Sequence, residues 1–372
     1  MNDTQMTIDR NAIVRNYRSV LETLPHSTAV MAVVKADAYG LGAVPVAKKL
    51  EEAGCSWFAV TFIEEAVSLR EAGIQSPVLV MMPVDPSESL TAVRYGLTVT
   101  VTDYAMASEI SGILKEKHVT LRVHMKADSG LSRMGIVLKD NMEGAVREAL
   151  AVSKLPGLRL EAVYTHLTAA GKNPEFPDVD RMEMQRFSTF VERLREKGLL
   201  LQTHLLSSSP YDWYPQAGGD YIRAGAILLG LNPDKFKRCR VENCLTLTTK
   251  VVSVKWIPAD TEISYGPLYK TAERTRIAIV PVGFADGMRR ALSNRGEMIL
   301  HGRKARIIGK ICCDHTILDV TDFDEVKTGD TVTIFGRDGA ASQTPGDYAA
   351  LCGASEPEIT SVLSARIPRF YL

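Results

Sequence analysis

A lysine stands at the end of an apolar run near the beginning of this 372-residue chain. The run starts near Ala29 and ends at Lys35, and a turn of small residues with Tyr39 embedded in it follows. Apolar runs of this length that are bounded by glycine are typical of buried strands. A lysine that is withdrawn from water at a strand end has a lowered pKa and can act as a nucleophile or a base. The alternative is a lysine whose side chain extends out to solvent.

Other polar groups follow apolar runs in the same way. His166 follows the run 162–165, and Lys126 continues the run 121–125 into a loop that also holds Arg133. Barrel enzymes keep their catalytic groups at the carboxyl ends of the strands. These side chains are therefore expected to meet at one mouth of a barrel. The alternatives are that His166 is a structural histidine and that the loop with Lys126 and Arg133 is only a solvated charged loop.

Hydroxyl groups and an arginine occur later in the chain. The segment 204–210 runs into three serines, which with free backbone N–H groups could form a phosphate cradle. Arg223 precedes another apolar run, and Gly225 allows a close approach of the backbone. A serine-rich turn alone is more often only a turn. Tyr265 lies in a tight turn and, taken alone, would be a surface aromatic residue.

Strand-like and helix-like patterns alternate through the first two-thirds of the chain. The apolar runs lie at 29–34, 57–61, 78–81, 98–101, 121–125, 162–165 and 205–207, with a further run at 224–231. The helical patterns lie at 10–24, 44–53, 63–72, 104–116, 141–153 and 182–197. Alternation repeated seven or eight times predicts a parallel sheet of the α/β class, and the length favours a closed (β/α)8 barrel over a doubly wound sheet. No glycine fingerprint follows the first run, which weakens a dinucleotide-binding alternative.

The pattern changes after about residue 234. Short β-rich runs lie at 245–255, 276–282, 297–300, 304–311, 316–320 and 331–335, and a helical pattern returns at 346–352. Gly, Asp and Pro separate the runs, which predicts an all-β second domain. We expect the barrel over residues 1–235 and the C-terminal β-domain over 236–372, with residues 1–9 as a candidate to pair with the β-domain.

Composition narrows the class of protein. Lys plus Arg and Asp plus Glu number 44 each, so the net charge is near zero and nucleic-acid binding is not expected. No apolar stretch is long enough to span a membrane, and the polar N-terminus does not resemble a signal peptide. The six cysteines fit no zinc signature, so no metal is expected and free thiols are favoured. We expect a cytoplasmic protein or the cytoplasmic domain of a larger, membrane-anchored one.

Taken together, these segments resemble the bacterial alanine racemase family of fold-type III pyridoxal-phosphate enzymes. The motifs that carry the resemblance occur in the family's order over nearly the whole chain: AVVKADAYGLGA at 32–43, MKADSGLSRMGI at 125–136, YTHL at 164–167, DYIRAGAILLG at 220–230, ISYGPLY at 263–269, PVGFADGMRR at 281–290 and RIPRFYL at 366–372. The resemblance implies a pyridoxal 5′-phosphate-dependent racemase that interconverts L- and D-alanine and supplies a D-amino acid for cell-wall precursors.

The resemblance also implies two bases in a shared site. Lys35 would hold the cofactor as an internal Schiff base and serve as one base, and Tyr265 of the partner subunit would be the other. Racemisation requires two, because the Cα proton of each enantiomer leaves from its own face of a planar carbanion. Cys313 of the partner subunit would face the substrate carboxylate through its backbone N–H. A homodimer with shared active sites follows.

The cofactor contacts are implied in the same way. Arg223 would face the pyridine nitrogen and keep it unprotonated, since arginine does not give up its proton, and His204 would support Arg223. Arg133 would contact the cofactor O3′ and the substrate carboxylate, with Lys126 beside it as a lysine that is often carbamylated in the family. His166 would tune the second base. The phosphate would be held by Tyr39, Ser208, Gly225 and Ala226.

The chain departs from the family pattern around the substrate. Pro357 stands where the family usually has a tyrosine, Cys313 replaces a methionine, and Ser207 replaces an asparagine. At the entrance, Gly171 replaces an aspartate and Phe284 a tyrosine. A wider pocket would admit serine as well as alanine, because a pocket does not strongly reject a substrate that adds a hydroxyl.

Three alternatives to an alanine racemase stay open at this point. One is the serine racemase domain of a vancomycin-resistance protein, which the departures around the substrate pocket favour. Another is a non-catalytic pyridoxal-phosphate carrier, although such carriers lack the β-domain. The last is a fold-type III decarboxylase of basic amino acids, although those are longer and carry a glycine-rich phosphate loop that is not found here.

Overall fold

The computed structural model of the chain describes residues 3–168, 178–266 and 268–372. Gly171, one of the departures at the expected entrance, lies outside the described residues. Within these ranges, no helix is long and apolar enough to cross a membrane.

Eight parallel strands form a nearly closed barrel. The strands are β2 Ala29–Val33, β3 Trp57–Val60, β4 Val78–Pro83, β5 Thr98–Val101, β6 Leu121–Asp128, β8 Leu158–Tyr164, β9 Gln202–His204 and β10 Tyr221–Ala224, with a short β7 Ile136–Val137 beside β6. They follow the order β10-β2-β3-β4-β5-β6-β8-β9. The ends of this order meet through a bridge between Ser207 and Arg223. The predicted (β/α)8 barrel is thereby confirmed.

Helices surround the barrel. They are α1 Arg10–Leu21, α3 Ala43–Glu52, α4 Ile63–Glu71, α5 Ser89–Arg94, α6 Tyr104–Lys117, α7 Met142–Val152, α8 Val179–Glu196 and α9 Ser208–Trp213. The segment α2, Lys35–Tyr39, is a single turn with a left-handed backbone. Met31 and Val33 of β2 pack with Leu79 and Tyr221 inside the barrel. Their neighbours on the strand pack against the helices outside, since successive side chains point to opposite faces. Each fully buried aliphatic side chain stabilises the fold by about 1.5–3 kcal/mol.

The last two barrel strands differ from the predicted apolar runs. β9 covers Gln202–His204 instead of 205–207, and β10 covers Tyr221–Ala224 instead of 224–231. Arg223 therefore lies within a strand and not before one. Apolarity marked the wrong residues here because the buried side chains of these strands include a histidine and an arginine, His204 and Arg223.

A sheet-rich domain follows the barrel, which confirms the predicted all-β domain. Its strands are β11 Leu245–Lys250, β12 Ser253–Ile257, β13 Thr275–Val280, β14 Glu297–Leu300, β15 Arg303–Arg306, β16 Thr316–Asp319, β17 Thr331–Asp338, β18 Ala341–Gln343 and β19 Arg369–Tyr371. The larger sheet, which includes the N-terminal strand β1 (Gln5–Ile8), has the order β15-β14-β17-β11-β1-β19, and the smaller has β12-β13-β16. Two short helices, α10 Pro345–Cys352 and α11 Glu356–Ser361, precede the last strand.

The two ends of the chain meet in the larger sheet. The N-terminal strand β1, Gln5–Ile8, pairs antiparallel with β11 and parallel with β19. The predicted run 245–255 is divided between β11 and β12, which belong to different sheets. The pairing of β1 with β19 brings the C-terminal segment close to the turn that follows β2.

Candidate active site

The turn after β2 has a left-handed backbone. Ala36, Asp37 and Ala38 have φ angles of 50°, 54° and 51°, and Tyr39 has a φ of 55°. This conformation costs an L-residue about 1–2 kcal/mol, so the surroundings must hold the turn. The N–H of Ala36 donates to Oε1 of Glu65 at 2.6 Å, which fixes the beginning of the turn.

Two glycines let the other end of this turn approach the C-terminal segment. A Cβ on Gly40 would lie 2.3 Å from the carbonyl oxygen of Thr360, and one on Gly42 would lie 2.0 Å from the hydroxyl of Tyr371. The Nε of Arg369 donates to the carbonyl of Gly40 at 3.1 Å. The β-domain therefore fixes the end of the turn.

A cavity of about 630 Å³ lies at the carboxyl ends of the barrel strands, a size typical of small-molecule sites. Most of the predicted site residues line it, namely Lys35, Tyr39, Lys126, Arg133, His166, Ser208, Arg223, Gly225 and Ala226. His204 is buried behind Arg223, to which it is hydrogen-bonded. Tyr265 and Cys313 are exposed and do not line this cavity.

Hydroxyl groups cluster at one end of the cavity. Ser208 Oγ accepts hydrogen bonds from the N–H groups of Gly225 at 3.0 Å and Ile227 at 3.4 Å. A Cβ on Gly225 would lie 2.6 Å from the Tyr39 hydroxyl, so glycine is needed for this approach. Burial, with a smaller effect of Glu65, raises the pKa of Tyr39 to about 12. Tyr39 therefore keeps its proton and can donate a hydrogen bond to an anion.

Arg223 is 3% exposed and makes hydrogen bonds to neutral acceptors. Nη1 donates to Nδ1 of His204 at 2.8 Å and to its carbonyl at 3.0 Å. Nη2 donates to the carbonyls of Thr165 at 2.8 Å and Leu205 at 3.2 Å, and it lies 3.2 Å from Nδ1 of His166. Burial lowers the pKa of Arg223 to about 10, so the guanidinium stays charged at neutral pH.

A row of rings extends from Arg223 into the barrel. Nε2 of His204 lies 3.1 Å from Nδ1 of His124, and the ring of His204 stacks on Tyr164 with centroids 4.5 Å apart. Because Arg223 donates to Nδ1 of His204, a neutral His204 carries its proton on Nε2 and donates a hydrogen bond from it to Nδ1 of His124. His124 then carries its own proton on Nε2.

Burial keeps these histidines neutral. Burial, and then the charges of Arg122 and Arg223, lower the pKa of His124 to about 3. Burial, and then Arg223, lower the pKa of His166 to about 2 and that of His204 well below its usual value.

The free energy of unfolding is therefore expected to fall as the pH drops below about 6.5. In that range the unfolded chain binds protons that the folded chain does not, so each of the three histidines contributes up to about 1.4 kcal/mol per pH unit. Urea unfolding at several pH values between about 5 and 8 measures the slope.

A single variant checks the cause. His124→Gln should make the slope shallower by one proton than in the wild-type protein, because burial lowers the pKa of His124 to about 3 in the folded chain. Equal slopes in His124→Gln and in the wild-type protein would show that this buried histidine is not the origin.

Lys126 and Arg133 contribute two more cationic side chains to the cavity wall. Burial, and then the charges of Arg223 and Arg133, hold the pKa of Lys126 well below its usual value. Its Nζ lies 4.2 Å from the ring centroid of Tyr164. Asp128 accepts hydrogen bonds from the backbone N–H groups of Gly130, Ser132 and Arg133 at 2.9, 3.1 and 3.0 Å, which shapes the loop that presents Arg133. Carbamylation of Lys126 stays a prediction.

Lys35 has the properties expected of a reactive amine. Burial lowers its pKa, Arg133 lowers it further, and Glu65 acts in the opposite direction. A lower pKa leaves more of the amine unprotonated and able to act as a nucleophile or base.

Tyr265 and Cys313 lie on neighbouring loops of the β-domain. Tyr265 is 70% exposed. Its neighbour Ser264 donates to the carbonyl of Lys310 at 2.6 Å and lies 3.3 Å from Sγ of Cys312. The structure therefore brings the two loops together at an exposed surface of the same chain.

Comparison with known proteins identifies the family. Residues 8–233 match the family model "Alanine racemase, N-terminal domain", and residues 244–371 match "Alanine racemase, C-terminal domain". The chain belongs to the alanine racemase family. It is therefore an amino-acid racemase, and the cofactor of this class of enzyme is pyridoxal 5′-phosphate.

Individual relatives agree with this membership. "Alanine racemase 2" from Caldanaerobacter subterraneus subsp. tengcongensis is 34% identical over 372 residues, which cover 99% of this chain and 95% of that protein. The solved alanine racemase from E. faecalis is 32% identical with a TM-score of 0.91, covering 100% of this chain and 98% of that one. The Bartonella henselae enzyme with covalently bound pyridoxal phosphate is 24% identical with a TM-score of 0.89, covers 100% and 99%, and shares the fold.

The alternatives to an alanine racemase are not favoured by these comparisons. The named relatives are alanine racemases, which does not favour a serine racemase domain. Both domains match the family, which disfavours a carrier that lacks the β-domain. Two of the five residues that raised the question are nevertheless at the site, since Pro357 and Ser207 both line the cavity. Phe284 is 44% exposed on the β-domain.

The cavity of this racemase fits the cofactor of its family. The hydroxyl cluster around Ser208 suits a phosphate. The guanidinium of Arg223, which has no carboxylate partner among the described residues, suits a neutral nitrogen acceptor. Lys35 supplies an amine in the same cavity. No group of three or more His, Cys, Asp and Glu side chains in the described ranges is placed to hold a metal ion.

Two residues of this racemase site were not anticipated from the sequence. Tyr164 lines the cavity and packs against both His204 and Lys126. Its position two residues before His166 at a strand end was an available signal. Glu65 contacts the turn after Lys35, and no local pattern indicates this contact because it depends on the left-handed backbone.

Proposed function

We propose that this racemase interconverts L- and D-alanine with two bases, Lys35 of one protomer and Tyr265 of the partner subunit, in a homodimer. The observation that carries the proposal is the separation of the two groups. Lys35 lines the cavity, whereas Tyr265 is 70% exposed and does not line it. A second copy of the chain would supply the missing base if its exposed loops closed over the cavity.

The residues on the cavity wall support the binding of pyridoxal 5′-phosphate. Lys35 would hold the aldehyde carbon, Arg223 would donate to the pyridine nitrogen, and Arg133 would contact O3′ and the substrate carboxylate. The phosphate would be bound by Tyr39 and Ser208 with the backbone of Gly225 and Ala226. When bound, the cofactor withdraws electrons from the Cα–H bond of the amino acid and makes that proton more acidic.

The chain's own groups would then move the proton. One base takes the proton from one face of Cα, and the other base returns a proton to the opposite face. Arg223 keeps its own proton at neutral pH, since its pKa is about 10, and would leave the pyridine nitrogen unprotonated. His166 would sit close to the second base, and the backbone N–H of Cys313 of the partner subunit would contact the substrate carboxylate. We further propose that the enzyme works in the cytoplasm and supplies D-alanine for cell-wall precursors.

A heterodimer of two inactive variants tests the shared site. Protomers carrying Lys35→Ala and Tyr265→Phe are coexpressed with different affinity tags, and the dimer that holds both tags is purified. It should regain about half of the wild-type activity, because one of its two sites then combines an intact Lys35 with an intact Tyr265.

Each variant homodimer is the control and should stay inactive. Light scattering on the wild-type protein checks the oligomeric state. A heterodimer as inactive as its parents, or a fully active monomer, would contradict the proposal.

A further inference from the structure

The side chain of Glu65 contacts the backbone immediately after Lys35. Its Oε1 accepts a hydrogen bond from the N–H of Ala36 at 2.6 Å. Its Oε2 accepts from the N–H groups of Thr61 at 2.7 Å and Phe62 at 3.0 Å. One carboxylate therefore joins the loops that follow β2 and β3, which are paired neighbours in the barrel.

The contact with Ala36 is not needed by the helix to which Glu65 belongs. Glu65 lies in the first turn of α4, and the first N–H groups of a helix lack partners within it. Oε2 of Glu65 accepts a hydrogen bond from the N–H of Phe62, the residue immediately before α4, and so already caps the helix. The other oxygen is then free to reach a different loop, and a carboxylate suits this task because both oxygens only accept hydrogen bonds.

The anchored peptide is the first of a strained series. Ala36, Asp37, Ala38 and Tyr39 all have positive φ angles although none is glycine. Such a backbone persists only where its surroundings over-determine it. Glu65 acts at the point where the chain leaves β2 and enters this conformation, and Arg369 holds the other end at Gly40.

Glu65 also contributes charge to the site. It is the anion whose charge raises the pKa of Lys35, against burial and Arg133, which lower it. The other titratable or charged groups of the cavity wall are Tyr39, Lys126, Tyr164, His166 and Arg223.

We propose that Glu65 is a positioning residue for Lys35. Its carboxylate anchors the first peptide of the left-handed turn to the loop after β3, and this anchoring directs the Lys35 amine and the Tyr39 hydroxyl into the cavity. The inference rests on the proposed function for the role of Lys35. The effect of Glu65 on the backbone of the turn can be measured in protein without cofactor.

The test compares Glu65→Gln with Glu64→Gln. Glu64 is exposed in the same helical turn, so its replacement removes the same charge without touching the turn. The amide of glutamine has one acceptor oxygen and cannot serve both loops. In the cofactor-free protein, hydrogen exchange at the Ala36 amide should accelerate about ten- to hundredfold in Glu65→Gln and stay unchanged in Glu64→Gln.

Two further readouts follow Lys35 itself. The pH profile for acylation of Lys35 by acetic anhydride, read by mass spectrometry, should shift to lower pH in Glu65→Gln, because the anion that raises its pKa is gone. In the holoenzyme, kcat for alanine should fall about tenfold or more with a smaller change in KM, since a misplaced reactive group slows the reaction more than it weakens binding.

Equal Ala36 exchange rates in the two folded variants would overturn the proposal. If Glu65→Gln does not fold, Glu65→Asp replaces it, because the shorter carboxylate can serve α4 but does not reach Ala36. If Lys35→Ala keeps its covalent cofactor, the proposed function fails, while the exchange comparison still reports on Glu65.

Discussion

Replacing Lys35 with alanine is expected to lower the rate of alanine racemisation by at least about 10⁴-fold. The variant loses both the amine that would hold the cofactor and one of the two bases. Racemisation is measured in both directions by the production of the opposite enantiomer. In the wild-type protein, borohydride reduction followed by peptide mass spectrometry should find the pyridoxal group on Lys35.

Lys126 provides the matched control, because it lines the same cavity and also has a lowered pKa. Lys126→Ala should keep the covalent attachment at Lys35. Cofactor attached to Lys126, or attachment that survives in Lys35→Ala, would show that the wrong lysine has been assigned. Circular dichroism and thermal unfolding of both variants establish that the barrel is intact.

Replacing Tyr265 with phenylalanine is expected to lower racemisation about 10²- to 10⁴-fold. Both directions should fall equally, because the equilibrium between enantiomers is unchanged. The two half-reactions should differ, however. Solvent deuterium should still enter Cα of the enantiomer whose proton Lys35 removes, while entry into the other enantiomer should slow with racemisation.

Tyr269→Phe is the control for this loop, since it removes a hydroxyl from a partly buried tyrosine four residues away. It should leave both racemisation and deuterium exchange close to wild type. If Tyr265→Phe slows deuterium entry equally for both enantiomers, the two bases do not act on separate faces and the assignment of Tyr265 is wrong.

Much of the fold is readable from local patterns in the sequence. Buried parallel strands are continuous apolar runs, as in β2 and β3, and surface helices repeat their apolar residues with the helical period, as in α6. The errors at β9 and β10 have the same physical origin. Where a strand carries His204 or Arg223 into a buried site, apolarity no longer marks it, and the apolar residues that follow the strand are taken for it.

Part of the site can also be predicted from local patterns in the sequence. Lys35 and His166 each lie two residues beyond the end of a strand, and Lys126 lies two residues before the end of β6, in the region where a barrel exposes its functional groups. Contacts that join distant segments are different, because they depend on how the chain packs. Tyr164 stacking on His204 joins β8 to β9, and Glu65 reaching Ala36 joins α4 to the turn after β2.

The lysine just beyond the first barrel strand, the β-domain after the barrel and the motifs that accompany them can all be recognised in the amino-acid sequence. These follow from residue types and short-range periodicity. The left-handed turn that follows Lys35, held by Glu65 and Arg369, becomes visible only in the folded chain. The same is true of the burial of Arg223 among neutral acceptors and of the exposure of Tyr265. Burial and hydrogen-bond partners are properties of segments that meet in space, and local sequence carries no record of which segments will meet.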